Sequence, residues 1–394
     1  MTQNYSFDWT IAPTAPETFF NEYFEQKPFV IRRGDPDYYR GLLSFADIDR
    51  VVSTLGLSVP EVTVTRADGN ITSADYAYET GVIDPVRVSQ LFADGATVIL
   101  SGLHDRLPEL GRFCRALEAV MSSRVQTNIY MTPANSQGFR AHYDNHDVIV
   151  LQVEGTKEWR IYDTPVELPL QSQGFDPHSV DVGAETDRFL LEPGDMVYIP
   201  RGVAHDAVAT DQTSLHVTTG LMLRSWADLL VEAVTIMAHR EPGMRRALPP
   251  GFANAGFDAG AHQADFEAML GTIAREAPLG KLLESFKQDF LTGRVPRVEG
   301  QMAEMGKLDG LSIDSRVGAR PHLIYDITYF EEDDSVRMVC YGAEIVLPDF
   351  AKEPLEYAVS HGDFTVSEMP GELDDAGKLV LVRRLVREGL MVVH

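Results

Sequence analysis

Cysteine is scarce in this 394-residue chain. Cys114 and Cys340 are the only two, and they lie far apart. That excludes a disulfide framework and a cysteine-based zinc site, and it suits a reducing, cytoplasmic setting. Long apolar runs are missing too, so the sequence predicts no membrane-spanning helix. The opening MTQNYSFDWTIAP lacks the basic-then-apolar pattern of a secretory signal. The formal sequon Asn70-Ile71-Thr72 is therefore read as chance. Basic residues are few: 34 Lys plus Arg stand against 59 Asp plus Glu, a formal net charge of -25. Such a chain repels nucleic acid and anionic membrane and attracts basic proteins.

What is present is globular material, 44% hydrophobic and 9% aromatic. At about 150 residues per domain the length allows roughly two or three domains, with a core large enough to need no staple. The pattern changes twice along the chain. Up to about residue 224 it is mixed and then strand-rich. Phe29–Ile31, Thr97–Leu100, Val148–Leu151, Trp159–Tyr162, Met196–Pro200 and Ser214–Leu221 read as strands, and Leu107–Met121 as a helix. Short strands separated by Gly and Pro turns predict a barrel or a sandwich. Residues 164–188 read as one long irregular loop, a type that is usually functional. From 225 to 310 the period is helical. Ser225 is an expected N-cap, and Trp226, Leu229, Leu230, Ala233, Ile236 and Met237 form one apolar stripe. Residues 311–394 read as a third unit, with a hairpin across Glu331–Asp334 and short helices over 355–361 and 379–387.

The chemistry concentrates in two phrases. His142 and Asp144 are two residues apart, which on a strand places imidazole and carboxylate on one face. His146 would share that face. Further on comes Gly194-x5-Pro200-x-Gly202-x2-His205, turns and a short strand that deliver one histidine. A lone His-x-Asp pair is a common accident. The second phrase is rare, and it matches the second motif of the cupin barrels, whose terminal histidine is a metal ligand. Two histidines and one carboxylate form the facial triad of non-haem Fe(II) oxygenases, which leaves positions open on the metal.

Three stretches carry a more specific resemblance. They are Thr127–Gly138 (TNIYMTPANSQG), His142-Tyr143-Asp144, and Leu151–Tyr162 (LQVEGTKEWRIY). Together they resemble the JmjC-type ribosomal oxygenases, closely over about residues 126–221. The resemblance implies an α+β fold: a catalytic domain over residues 1–224, made of a double-stranded β-helix (cupin/JmjC) barrel with an N-terminal elaboration, a helical dimerisation region over 225–310, and a winged-helix-like C-terminal domain over 311–394. It implies Fe(II) on His142, Asp144 and His205, with O2 as oxidant and 2-oxoglutarate as cosubstrate. Lys157 matches the residue that pairs with the distal carboxylate of 2-oxoglutarate. Asn128 and Tyr130 match positions lining the cosubstrate pocket, and Thr218 is a further pocket candidate beside His216. The implied reaction hydroxylates a His or Arg side chain of a basic ribosomal protein, in the cytoplasm, by a homodimer with no direct nucleic-acid or membrane partner.

Independent chemistry supports Lys157, because a dianionic cosubstrate in an acidic protein needs a dedicated cation. His146 departs from the family's pattern. On the C-terminal helix Asp374, Asp375 and Glu388 flank Lys378, Arg383, Arg384 and Arg387, which fits a protein-contacting unit rather than a DNA reader. The alternatives are the same oxygenase acting on a biosynthetic peptide or small molecule, a non-catalytic metal-binding cupin module, and a non-oxidative cupin enzyme such as an isomerase. The last two would not need Lys157.

Overall fold

The computed structural model describes residues 5–67 and 69–394. The first four residues of the segment read for a signal lie outside the described residues. The strands of the first 222 residues are β1 (Phe29–Ile31), β2 (Val62–Thr65), β3 (Thr97–Ser101), β4 (Arg124–Thr132), β5 (Asp147–Glu154), β6 (Lys157–Tyr162), β7 (Glu185–Leu191), β8 (Met196–Ile199), β9 (His205–Ala209) and β10 (Ser214–Met222). A larger sheet runs β1-β8-β5-β10-β4-β3-β2, and a smaller one runs β7-β6-β9. All their pairings are antiparallel.

Side-chain alternation explains how the two sheets close on each other. Val148 and Val150 of β5 pack with Trp159, Ile161, Phe189 and Leu191 of the small sheet. Ile149 and Leu151 point the other way, into the cluster built with the N-terminal helices and Pro108–Met121. β5 is thus buried on both faces, which is why its sequence is an uninterrupted apolar run. β8 divides likewise, with Val197 and Ile199 inward and Met196 and Tyr198 outward.

The irregular stretch is shorter than its sequence suggests. Residues 185–188 belong to β7, where Arg188 pairs with Glu158 and Glu185 on the solvent face. Four exposed polar residues in a row hide the strand pattern.

The helix Trp226–Arg240 opens with a capping box between Ser225 and Asp228. Its stripe divides: Leu229, Ala233 and Met237 are buried, while Trp226 and Leu230 are exposed. Helices Gln263–Glu276 and Leu279–Thr292 follow, and Leu282 joins Leu229 and Ala233 in a small cluster. The remaining strands are β11 (Arg316–Ala319), β12 (Asp326–Phe330), β13 (Ser335–Cys340), β14 (Ala343–Pro348), β15 (Phe364–Thr365) and β16 (Met391–Val393). They form the sheets β15-β11-β16 and β12-β13-β14. With helices Lys352–Ser360 and Asp375–Arg387 they enclose a separate core. Among the described residues no helix is long and apolar enough to cross a membrane.

Candidate metal centre

His142 and Asp144 do not lie on a regular strand, as the spacing predicts, but on the loop entering β5. A single antiparallel bridge compensates. The His142 N–H donates to the His205 carbonyl at 3.1 Å, and the His205 N–H returns to the His142 carbonyl at 2.8 Å. The two imidazoles therefore stand side by side, with ring centroids 4.9 Å apart. Each ring is oriented by its own Nδ1, which donates to the Arg140 carbonyl at 2.8 Å in His142 and to the Val203 carbonyl at 3.0 Å in His205. Since a carbonyl only accepts, each Nδ1 carries the proton and each Nε2 keeps its lone pair. His205 Nε2 lies 3.7 Å from Asp144 Oδ2. One ligand atom from each of His142, Asp144 and His205 falls within 4.8 Å of the others. Burial, then the neighbouring His142, holds the His205 pKa below its usual range, favouring the neutral form that binds metals.

The glycines of the second phrase build this geometry. Gly194 has φ +92°, and a Cβ there would stand 2.0 Å from the Asp35 carbonyl oxygen. Gly202 has φ +87°, and its Cβ would stand 1.9 Å from the Val166 carbonyl oxygen. Between them Arg201 donates to the fully buried Asp147, through its backbone N–H at 3.2 Å and Nη1 at 2.9 Å. Tyr198 donates to the other oxygen of that carboxylate. The turn delivering His205 is thereby fastened to the start of β5, just beyond Asp144.

A cavity between the two sheets opens at these residues and is lined also by Thr97, Tyr130, Phe139, Lys157, Trp159, His216 and Thr218. Lys157 is buried, and its ammonium donates to Thr132 Oγ1 at 3.3 Å. No carboxylate lies within ion-pair reach of it among the described residues. Burial alone pushes its pKa down to about 7. Burial raises the Tyr130 hydroxyl pKa, so the phenol stays protonated. A metal-ligand set with an unmatched buried cation beside it fits a cofactor pair of divalent cation and dicarboxylate.

The structure brings Tyr130, Lys157 and Thr218 to this cavity. Asn128 sits across from Thr218 in the β4–β10 register but is not among the lining residues. His146 is not on a shared strand face with His142 and Asp144. It packs against Gly220, where a Cβ would come within 2.7 Å of its ring. Sequence reasoning did not assign Thr97, Phe139 or Trp159 to the pocket. They come from three separate segments, and only the strand register of β3, β4 and β6 could have signalled two of them.

A JmjC-domain family model matches residues 103–229. The chain is 30% identical over 355 residues to ribosomal oxygenase 2 of Rattus norvegicus, covering 85% of this chain and 76% of that protein. The chain belongs to the ribosomal oxygenase family. It is accordingly a 2-oxoglutarate-dependent dioxygenase with Fe(II) as its metal. Ribosomal oxygenase 1 of Gallus gallus is 29% identical over 390 residues, but the chain spans only 63% of that protein. Among solved structures, YcfD, a ribosomal oxygenase from Escherichia coli in complex with cobalt and 2-oxoglutarate, superposes with a TM-score of 0.54. That match has 15% identity and covers 97% of this chain and 99% of the other. It shows the same JmjC cupin fold.

Proposed function

We propose that this chain hydroxylates a His or Arg side chain of a basic ribosomal protein. The observation that carries the reading is the convergence of His142, Asp144 and His205 beside a buried, carboxylate-free Lys157. His142, Asp144 and His205 would hold the metal on one face. Such a ligand set would leave the metal open to the cosubstrate. Lys157 would pair with the distal carboxylate by a charge-assisted hydrogen bond. Tyr130 and Thr218 would line that pocket, with Asn128 at its edge, and Trp159 would help to exclude water. When bound, Fe(II) with 2-oxoglutarate supplies the oxidising chemistry by which O2 hydroxylates a C–H bond, leaving succinate and CO2. The long loop before β7 borders the centre. The Phe175 ring lies 6.3 Å from that of His142, and the Tyr143 hydroxyl donates to the Gln173 carbonyl at 3.2 Å.

The names of the relatives support a ribosomal substrate, and the net charge of -25 would steer a basic protein toward the chain. We infer a homodimer through the region 225–310, a winged-helix-like unit over 311–394 that contacts protein rather than nucleic acid, and a cytoplasmic setting. Trp226 is 73% exposed and Val231 67%, and such apolar surface calls for a partner. The test is incubation with Fe(II), 2-oxoglutarate, O2 and purified ribosomal proteins, followed by peptide mass spectrometry. The expected result is a single +16 Da site that depends on 2-oxoglutarate, about one oxygen atom in mass. Modification that ignores 2-oxoglutarate would overturn the assignment. A buried, unpaired lysine is costly in a merely structural cupin, which disfavours the binding-module alternative.

A further inference from the structure

His216 occupies the middle of β10, directly across from Tyr130 of β4. Its ring stacks on the Tyr130 ring at 4.8 Å and 6°, and the Trp159 ring meets it edge-on at 5.8 Å. Its Nδ1 is sealed from solvent and has no hydrogen-bond partner among the described residues. Such a position could be filled by Phe or Leu with better stability, since an unpaired buried imidazole costs what a missed hydrogen bond costs. His216 also borders the cavity that holds Lys157, whose ammonium lies 6.0 Å from the same Tyr130 ring. Two nitrogen groups thus lie against the Tyr130 ring, and among the described residues no acidic side chain is paired with either. Burial first, and the Lys157 charge second, hold the His216 pKa well below its usual range. The ring is therefore neutral, with one N–H to give.

We propose that His216 is a second anchor for the distal carboxylate of the cosubstrate, donating its imidazole N–H to the oxygen that Lys157 leaves free. This rests on the reading of the cavity as a 2-oxoglutarate site. It makes His216 a positioning residue that acts on the end of the cosubstrate remote from the metal. A single neutral donor beside a cation also explains why the pair is not two lysines, because like charges buried together repel each other.

The experiment measures ligand affinity by calorimetry on the full chain loaded with Mn(II), without turnover. Two ligands are compared: 2-oxoglutarate, and 2-oxobutanoate, which chelates but has no distal carboxylate. His216→Phe keeps the stack on Tyr130 and removes the N–H. Its dissociation constant for 2-oxoglutarate should rise about tenfold to a hundredfold, as expected for a hydrogen bond to a charged group, while that for 2-oxobutanoate stays level. His216→Gln retains an N–H of similar reach and should stay within about threefold of the wild-type protein. It also serves if the Phe variant fails to fold. Equal 2-oxoglutarate affinity in the wild type and His216→Phe would overturn the proposal, as would equal weakening of both ligands. If the wild type binds neither compound, the cosubstrate reading itself falls and takes this proposal with it.

Discussion

Asp144 supplies the only carboxylate of the triad, and it sits on a loop rather than in the barrel core. Asp144→Ala should therefore abolish 2-oxoglutarate-dependent succinate formation and shift the thermal midpoint little, because surface-type changes cost about 0.5 kcal/mol or less. A variant that keeps full turnover would contradict the ligand set. Lys157 makes a sharper prediction. Burial pushes its pKa down to about 7, below its unfolded value, so above pH 7 the site binds a dianion only by taking up a proton. Affinity for 2-oxoglutarate should then fall about tenfold per pH unit above 7. Calorimetry in buffers of different ionisation enthalpy should show about one proton taken up at pH 8. The sign for stability follows from the same depression: the unfolded chain binds the extra proton between about pH 7 and 10.5, so this group lets stability rise with pH across that window. Lys157→Met should abolish both effects, and a flat affinity profile in the wild type would refute the assignment.

The segment from Gly194 to His205 was legible as a unit because each of its constraints is local. A positive φ at Gly194 and Gly202, and backbone oxygens where a Cβ would stand, leave glycine as the residue that fits. Gly202→Ala should destabilise the fold by about 1–3 kcal/mol of backbone strain, with a clash added. It should also displace His205, which thermal melts and Mn(II) titration would register together. Unchanged Mn(II) affinity would sever the turn from the metal site. The conformation around His142 was not legible, because a spacing of two fits a strand or a bridged loop equally well. The bridge depends on His205, which is distant in sequence. β7 was hidden for a different reason. Glu185–Arg188 face solvent as polar residues, with Arg188 ion-paired to Glu185 and Glu158, so the strand has no apolar alternation to read.

At the scale of the molecule, burial follows contacts that no periodicity reveals. The helical stripe at 226–237 is continuous in sequence, yet the fold covers Leu229, Ala233 and Met237 and leaves Trp226 and Leu230 outside. If that surface joins two copies, Trp226→Glu with Leu230→Glu should convert the sedimentation profile from dimer to monomer at micromolar concentration. A wild-type chain already monomeric would refute the dimer. The barrel was legible because seven of its strands, β4 to β10, and Lys157 fall within one contiguous stretch. The most direct test of the central claim joins chemistry to target. The chain is incubated with Fe(II), O2 and ribosomal proteins, with and without 2-oxoglutarate, and every peptide is weighed. The expected product is one hydroxylated His or Arg on one basic ribosomal protein, formed with 2-oxoglutarate present and lost in Asp144→Ala. Equal modification without 2-oxoglutarate, or none on any ribosomal protein while the chain still turns 2-oxoglutarate into succinate, would contradict it.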